Sequence, residues 1–514
     1  MSMRWVAWLV PLAATAVVAP AHSFDQGPAR RAQALTAGLD YEQARAELEA
    51  AEDDPLNALE RARLAIYELD CDGAAVILGR PELQKSELAD IARGCQRVTA
   101  ALAIDRDEEQ GIEVRWQDEH DRALAPLLFE TVTKARDALS RDLGVDWPRP
   151  TRIVVVRDLL SLSAMTGLPY KSAQTTGTVA VAKWGRVTLL SPRASRDGYP
   201  WRDTLAHELT HLAVTRGSRD RAPLWLQEGI AKREEVRWRP GGPYDDRPSA
   251  EAILSRALEQ SATFLLDKLG PSIAMLPSAD AAMVAFAEVT SFVRFYAQTL
   301  GDEALPKLLF ELKTGKGPDE ALVAATGKDL HAWEGKWRAY LSSRPREPLP
   351  PLWLGSESRR GTAGAALRDA RDRSRLAELL LARGHAAQAL DELGALGAAS
   401  ITQPSDPGSC ALRARALEAA GRRSESEPLV ADPALVVSSY GPWWALRGRA
   451  KRAQGEQSAA MASFLEALAT DPFAPEAACE CKSGAACGAE PPDDPAKAPL
   501  CDAARAWSQS PLDE

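Results

Sequence analysis

Two of the chain's six histidines stand four residues apart in the stretch TLAHELTHLAV, residues 204–214, with Glu208 directly after the first. If this stretch is helical, residues four apart lie one turn above each other, so His207 and His211 can aim their imidazoles at one cation. Zinc suits such nitrogens, and Glu208, rotated away from the pair, can reach a water held by the ion and serve as general base. A catalytic zinc commonly takes three protein ligands and leaves a position for water, so a third ligand is required. Downstream, APLWLQEGIAKREE offers Glu228, 17 residues after His211. Pro223 can begin a helix there, with Leu224, Trp225 and Ile230 as its apolar face. Glu234 and Glu235 compete for the third place, but they belong to the run Lys232-Arg233-Glu234-Glu235, which reads as a solvated face. Asp203 lies one turn before His207, where it could orient the imidazole or simply favour the helix start.

These side chains need rigid elements. Leu205, Leu209 and Leu212 recur at helical spacing, and the apolar flanks of the motif predict a mostly buried helix whose imidazoles need partners. Upstream, IEVRW from Ile112 is β-like, residues 123–143 form an amphipathic helical pattern, and the β-branched TRIVVVRD reads as a buried strand. TVAVA from Thr178 and RVTLLS from Arg186 are two further strands joined by the short turn Lys183-Trp184-Gly185. From Phe286 to Leu341 the pattern is helical again, with Trp333 and Trp337 as core residues. Strands followed by helices predict an α+β unit. His120, His331 and His385 stand alone and read as structural or exposed.

HELTH followed by PLWLQEGIA resembles the gluzincin metallopeptidases, and in particular the peptidase MA-like family of exported bacterial proteins. The segments EVRWQDEHDRALAPLLFETVTKARDALSRDLG, TRIVVVRD, TSFVRFYAQTLGDEALPKLLFELKTGKGPDEAL and WEGKWRAYL are similar to that family's domain as well, so the resemblance spans residues 112–343. It implies a zincin-like α+β domain, a mixed α/β lobe and a helical lobe with zinc between them. His207, His211 and Glu228 would be the ligands, and Glu208 would activate the zinc-bound water for peptide hydrolysis. It also implies a strand edge, assigned to RVTLLS, on which an extended peptide substrate pairs. Gluzincins usually add a Tyr or His donor for the oxyanion. Here the comparable positions carry Phe286 and Thr290, and Tyr296 on the same helix has the wrong phase. Loss of such a donor typically costs about 10²- to 10³-fold in turnover. With no acidic motif upstream of His207 to hold a free amine, endopeptidase action is expected over aminopeptidase action. The competing expectation is a zinc- or peptide-binding domain of little activity, serving as an adaptor in an envelope complex.

The rest of the chain frames this unit. Its 514 residues exceed one ordinary core, and 45% hydrophobic with 26% charged residues is a globular composition. A net charge of −10 supplies no basic field for a nucleic acid partner. MSMR, an apolar run and an Ala19-Pro20-Ala21 site predict a signal peptide at residues 1–21, hence an exported, periplasmic or secreted protein with no membrane span after cleavage. Residues 37–106 read as a helical N-terminal region of tetratricopeptide-like character, and residues 344–360 as a Pro-rich linker. Residues 361–473 read as tetratricopeptide-like repeats. There Gly384, Gly421 and Gly455, 37 and 34 residues apart, would sit at hairpin turns, and the repeats would recruit a protein partner. Residues 474–514 read as a mostly disordered tail without a core. Export favours disulfides over metal for the seven cysteines, with Cys71 and Cys95 able to staple a helical stretch. The other five are Cys410, Cys479, Cys481, Cys487 and Cys501.

Overall fold

The computed structural model describes residues 27–100, 102–147, 149–195, 198–239, 249–270, 272–347, 361–394, 407–431, 441–480 and 497–509. The expected signal peptide at 1–21 and most of the expected linker at 344–360 lie outside the described residues.

A five-stranded mixed sheet carries the upper half of the central unit, in the order β1-β2-β3-β5-β4. Its strands are β1 (Ala103–Asp107), β2 (Ile112–Trp116), β3 (Thr151–Val156), β4 (Ala180–Lys183) and β5 (Arg186–Leu190). β2, β3 and β5 run parallel, while β1 and β4 flank them antiparallel. The run IVVV in β3 is buried on both faces, and the two-residue period of a strand divides it. Ile153 and Val155 enter the main core with Leu128, Val132, Leu205 and Leu209. Val154 and Val156 enter a second cluster with Leu162 and Met165. β4 and β5 are joined through Trp184 (φ 55°) and Gly185 (φ 66°), the left-handed pair that a two-residue hairpin turn requires.

Two expectations fail in this sheet. Residues 37–106 were expected to be helical throughout, yet Ala103–Asp107 is an outer strand. Its polar sequence, AIDRD, carries no apolar run, because an outer strand buries little on either face. RVTLLS was expected to offer its edge to a peptide, yet β5 is paired on both sides, by β3 and β4. The outer strand at that end is β4.

Under the sheet lie α6 (Ala125–Leu143) and α9 (Trp201–Ser218), and a helical lobe follows with α10 (Leu224–Glu234), α12 (Ala279–Leu300) and α15 (Leu330–Ser343). α9 and α10 contact each other, and α10 lies against α12. Gly229 makes the second approach possible: a Cβ there would come within 2.3 Å of Val293 Cγ2 and 2.7 Å of Val289 O.

The five N-terminal helices within Pro28–Thr99 pack against the central unit. Arg186 of β5, wholly buried, donates to the carbonyls of Ile66 and Met165, and Asp40 pairs with Arg216 near the end of α9. A disulfide links Cys71 to Cys95. At the other end of the chain, three helical hairpins turn at Gly384, Gly421 and Gly455, with φ of 79°, 74° and 80°.

Of the expected disordered tail, only residues 474–480 and 497–509 are described, and these are ordered. Pro475–Ala478 and Lys497–Gln509 are helices bridged by a Cys479–Cys501 disulfide, and Leu500, Cys501 and Ala504 are buried. Trp507 lies under the Arg193 guanidinium at 4.8 Å, and Arg193 in turn pairs with Asp118 and Asp121. Composition pointed to disorder because the segment is rich in Pro, Gly, Ala, Asp and Cys, whereas a few buried apolar residues and one cross-link hold its two helices. Among the described residues no helix is long and apolar enough to cross a membrane.

Candidate metal centre

α9 is buried on nearly every face, with Leu205, Leu209, Thr210 and Val214 fully enclosed, so the side chains it turns toward the cleft depend on neighbours for satisfaction. α10 supplies them. His207 Nε2 and His211 Nε2 are 3.3 Å apart, and Glu228 Oε2 lies 3.5 Å from the first and 3.6 Å from the second. Ligands about 2.0–2.1 Å from a tetrahedral zinc stand roughly 3.3–3.4 Å from one another. The three atoms therefore fit such an ion without rearrangement. Glu208 also comes within 4.8 Å of both imidazoles, but its Oε2 accepts the N–H of Ala182 in β4 at 2.5 Å, which directs it to the sheet side of the cleft.

Charge accounts for how the triangle holds together. Burial opposes a cationic His207, yet hydrogen bonds to Glu228 and Glu235 outweigh it and lift its pKa to about 10. Burial alone would raise Glu228, but His211 and His207 beside it hold its pKa below the usual carboxylate value. The imidazoles and the Glu228 carboxylate thus stabilise each other's charge. Burial raises Glu208, against the opposing pull of the two imidazoles. That direction suits a group that must accept a proton near neutral pH.

The groups behind the triangle differ from those expected. Asp203 does not touch His207: it accepts from Trp238 Nε1 at 2.9 Å and from Arg239 at 2.9 and 3.1 Å. The partner of His207 is Glu235, whose Oε2 lies 3.0 Å from Nδ1 and whose other oxygen pairs with Lys232. His211 Nδ1 faces Gln227 Oε1 at 3.4 Å. The run Lys232-Arg233-Glu234-Glu235 is thus no solvated face. Arg233 and Glu234 are 5% and 2% exposed and pair with each other, while Glu235 faces His207. Helical phase could have shown this, since Glu235 lies two turns from Glu228 on the same face. Replacing Glu235 with Ala is expected to weaken zinc binding about 10- to 100-fold, as read by competition with a chromophoric chelator. Unchanged affinity would remove Glu235 from the site.

A cleft of about 480 Å³ opens in front of His207 and Glu208, bounded by residues 176–180 on the sheet side and by α12 below. Phe286 and Thr290 line it, as their positions implied, with the Phe286 ring 6.5 Å from that of His207. Thr290 Oγ1 donates to the Phe286 carbonyl. Tyr296 lies elsewhere, 1% exposed and packed edge-on against Trp333. Among the described residues no tyrosine and no second histidine lines the cleft.

Residues 132–343 match the family model of the Peptidase MA superfamily. The match ends with α15 and starts inside α6, so it contains His207, Glu208, His211 and Glu228 but leaves β1 and β2 outside. No curated protein matches the chain.

Proposed function

We propose that this chain is an exported zinc-dependent peptidase whose metal is held by His207, His211 and Glu228 and whose general base is Glu208. The observation that carries this reading is the near-equilateral triangle of two imidazole nitrogens and one carboxylate oxygen, set beside a buried carboxylate at the mouth of a cleft. The superfamily match over the same residues supports it. Zinc bound there supplies Lewis acidity, polarising a scissile carbonyl and making water acidic enough to lose a proton near neutral pH.

The protein's own groups do the rest. Glu208, fixed by the Ala182 N–H, accepts the proton of the attacking water and delivers it to the leaving amine. Glu235 holds the Nδ1 proton of His207, which leaves Nε2 as the ligand atom. β4, as the outer strand beside the cleft, is placed to pair with an extended substrate. The sequence at residues 1–21 supports export.

A second reading has its own support: the cleft offers Phe286 and Thr290 where a second oxyanion donor would stand, which favours a zinc or peptide binder with slow turnover and an adaptor role for the helical hairpins. Dialysis against a chelator followed by stoichiometric zinc separates the two. The peptidase reading predicts that cleavage of a quenched peptide library is abolished and then restored by zinc. Zinc uptake without any cleavage favours the adaptor.

A further inference from the structure

The C-terminal hairpins lie far outside residues 132–343, yet one of their helices forms part of the cleft. Glu466, Ala469 and Thr470, at the end of the helix Gln457–Thr470, line it beside Asp203 and Arg239. This wall is fixed to the metal-site helix. Trp201 Nε1, in the first turn of α9, donates to Leu468 O at 2.9 Å, and Tyr199 N donates to Thr470 O at 2.9 Å. At Gly198 a Cβ would fall 2.1 Å from Thr470 O, so the two backbones meet more closely than any side chain allows. These bonds fix the end of the helix Gln457–Thr470 to the start of α9, so that it forms one side of the cleft.

We propose that the helix Gln457–Thr470 is a specificity-determining wall of the substrate cleft, and that Glu466 makes it select peptides with a basic or neutral side chain over an acidic one. The inference rests on the peptidase reading above. Arg239 is shared by two acids, Asp203 at 2.9 Å and Glu466 at 3.0 Å, so among the described residues this end of the cleft carries more negative than positive charge. Lys232, the other cation of the lining, is paired with Glu235. An acidic substrate side chain brought to the wall meets a field of its own sign, whereas a lysine or arginine meets the opposite one.

The test uses the full chain with zinc and a panel of short fluorescent peptides carrying Lys, Gln or Glu at each position in turn. Binding is read by fluorescence polarisation in the Glu208→Gln background, so that turnover does not enter, and cleavage is read in the parent protein. The expected result is a preference of about 10-fold for Lys over Glu at one position, lost in Glu466→Gln and reversed in Glu466→Lys. The conservative Glu466→Gln guards against a folding defect, and its zinc content and melting temperature should match the parent. Peptides that bind with the same profile in all three proteins would overturn the wall while leaving the peptidase reading in place. Failure of the parent to bind or cut any peptide would overturn both.

Discussion

Glu208→Gln is expected to reduce peptide cleavage by about 10²- to 10⁴-fold while leaving zinc stoichiometry unchanged. Gln keeps the shape of the side chain and can still accept the Ala182 N–H, so the helix and cleft need not adjust. What it loses is the capacity to take a proton from water and return it to the departing amine. Steady-state cleavage together with elemental analysis of the same sample checks this. Equal loss of zinc and activity would mean that Glu208 is a ligand; unchanged cleavage would mean that the base lies elsewhere.

Glu228→Ala is expected to abolish stable zinc binding. It removes the only anionic corner of the triangle and leaves two imidazoles 3.3 Å apart, with Glu235 still on the far nitrogen of His207 and Glu208 within 4.8 Å of both rings. A metal that binds only the folded state stabilises it by about 2.7 kcal/mol at a hundredfold excess over its dissociation constant. The parent should therefore melt several degrees higher with zinc than with chelator, and Glu228→Ala should melt at one temperature in both. A zinc-dependent rise of the same size in the variant would exclude Glu228 from the ligand set.

Much of the site could be read from the sequence because it lies on two helices with short spacing. His207 and His211 are one turn apart, so local periodicity aligns them, and Glu228 on the helix after Pro223 was found from the need for a third ligand and from the motif it stands in. What supports them depends on tertiary packing. Asp203 is a plausible neighbour of His207 by sequence, yet Arg239 and Trp238 occupy both of its oxygens. Glu235 shares the helical phase of Glu228, but its run of charged neighbours concealed that α10 is enclosed by α9 and α12. The strands followed the same division. TRIVVVRD showed its double burial through its β-branched run, but strand order is a long-range property, so which of β4 and β5 is the outer one could not be read from either segment. Likewise the three hairpin glycines were visible, while the docking of Leu468 on Trp201, 267 residues away in the chain, was not.

Zinc-edge anomalous diffraction from crystals of residues 22–514 grown with zinc tests the central claim most directly. The account predicts one strong peak about 2.0–2.1 Å from His207 Nε2, His211 Nε2 and Glu228 Oε2 together. No peak between these three residues, or a peak held by Glu208 in place of Glu228, would contradict it.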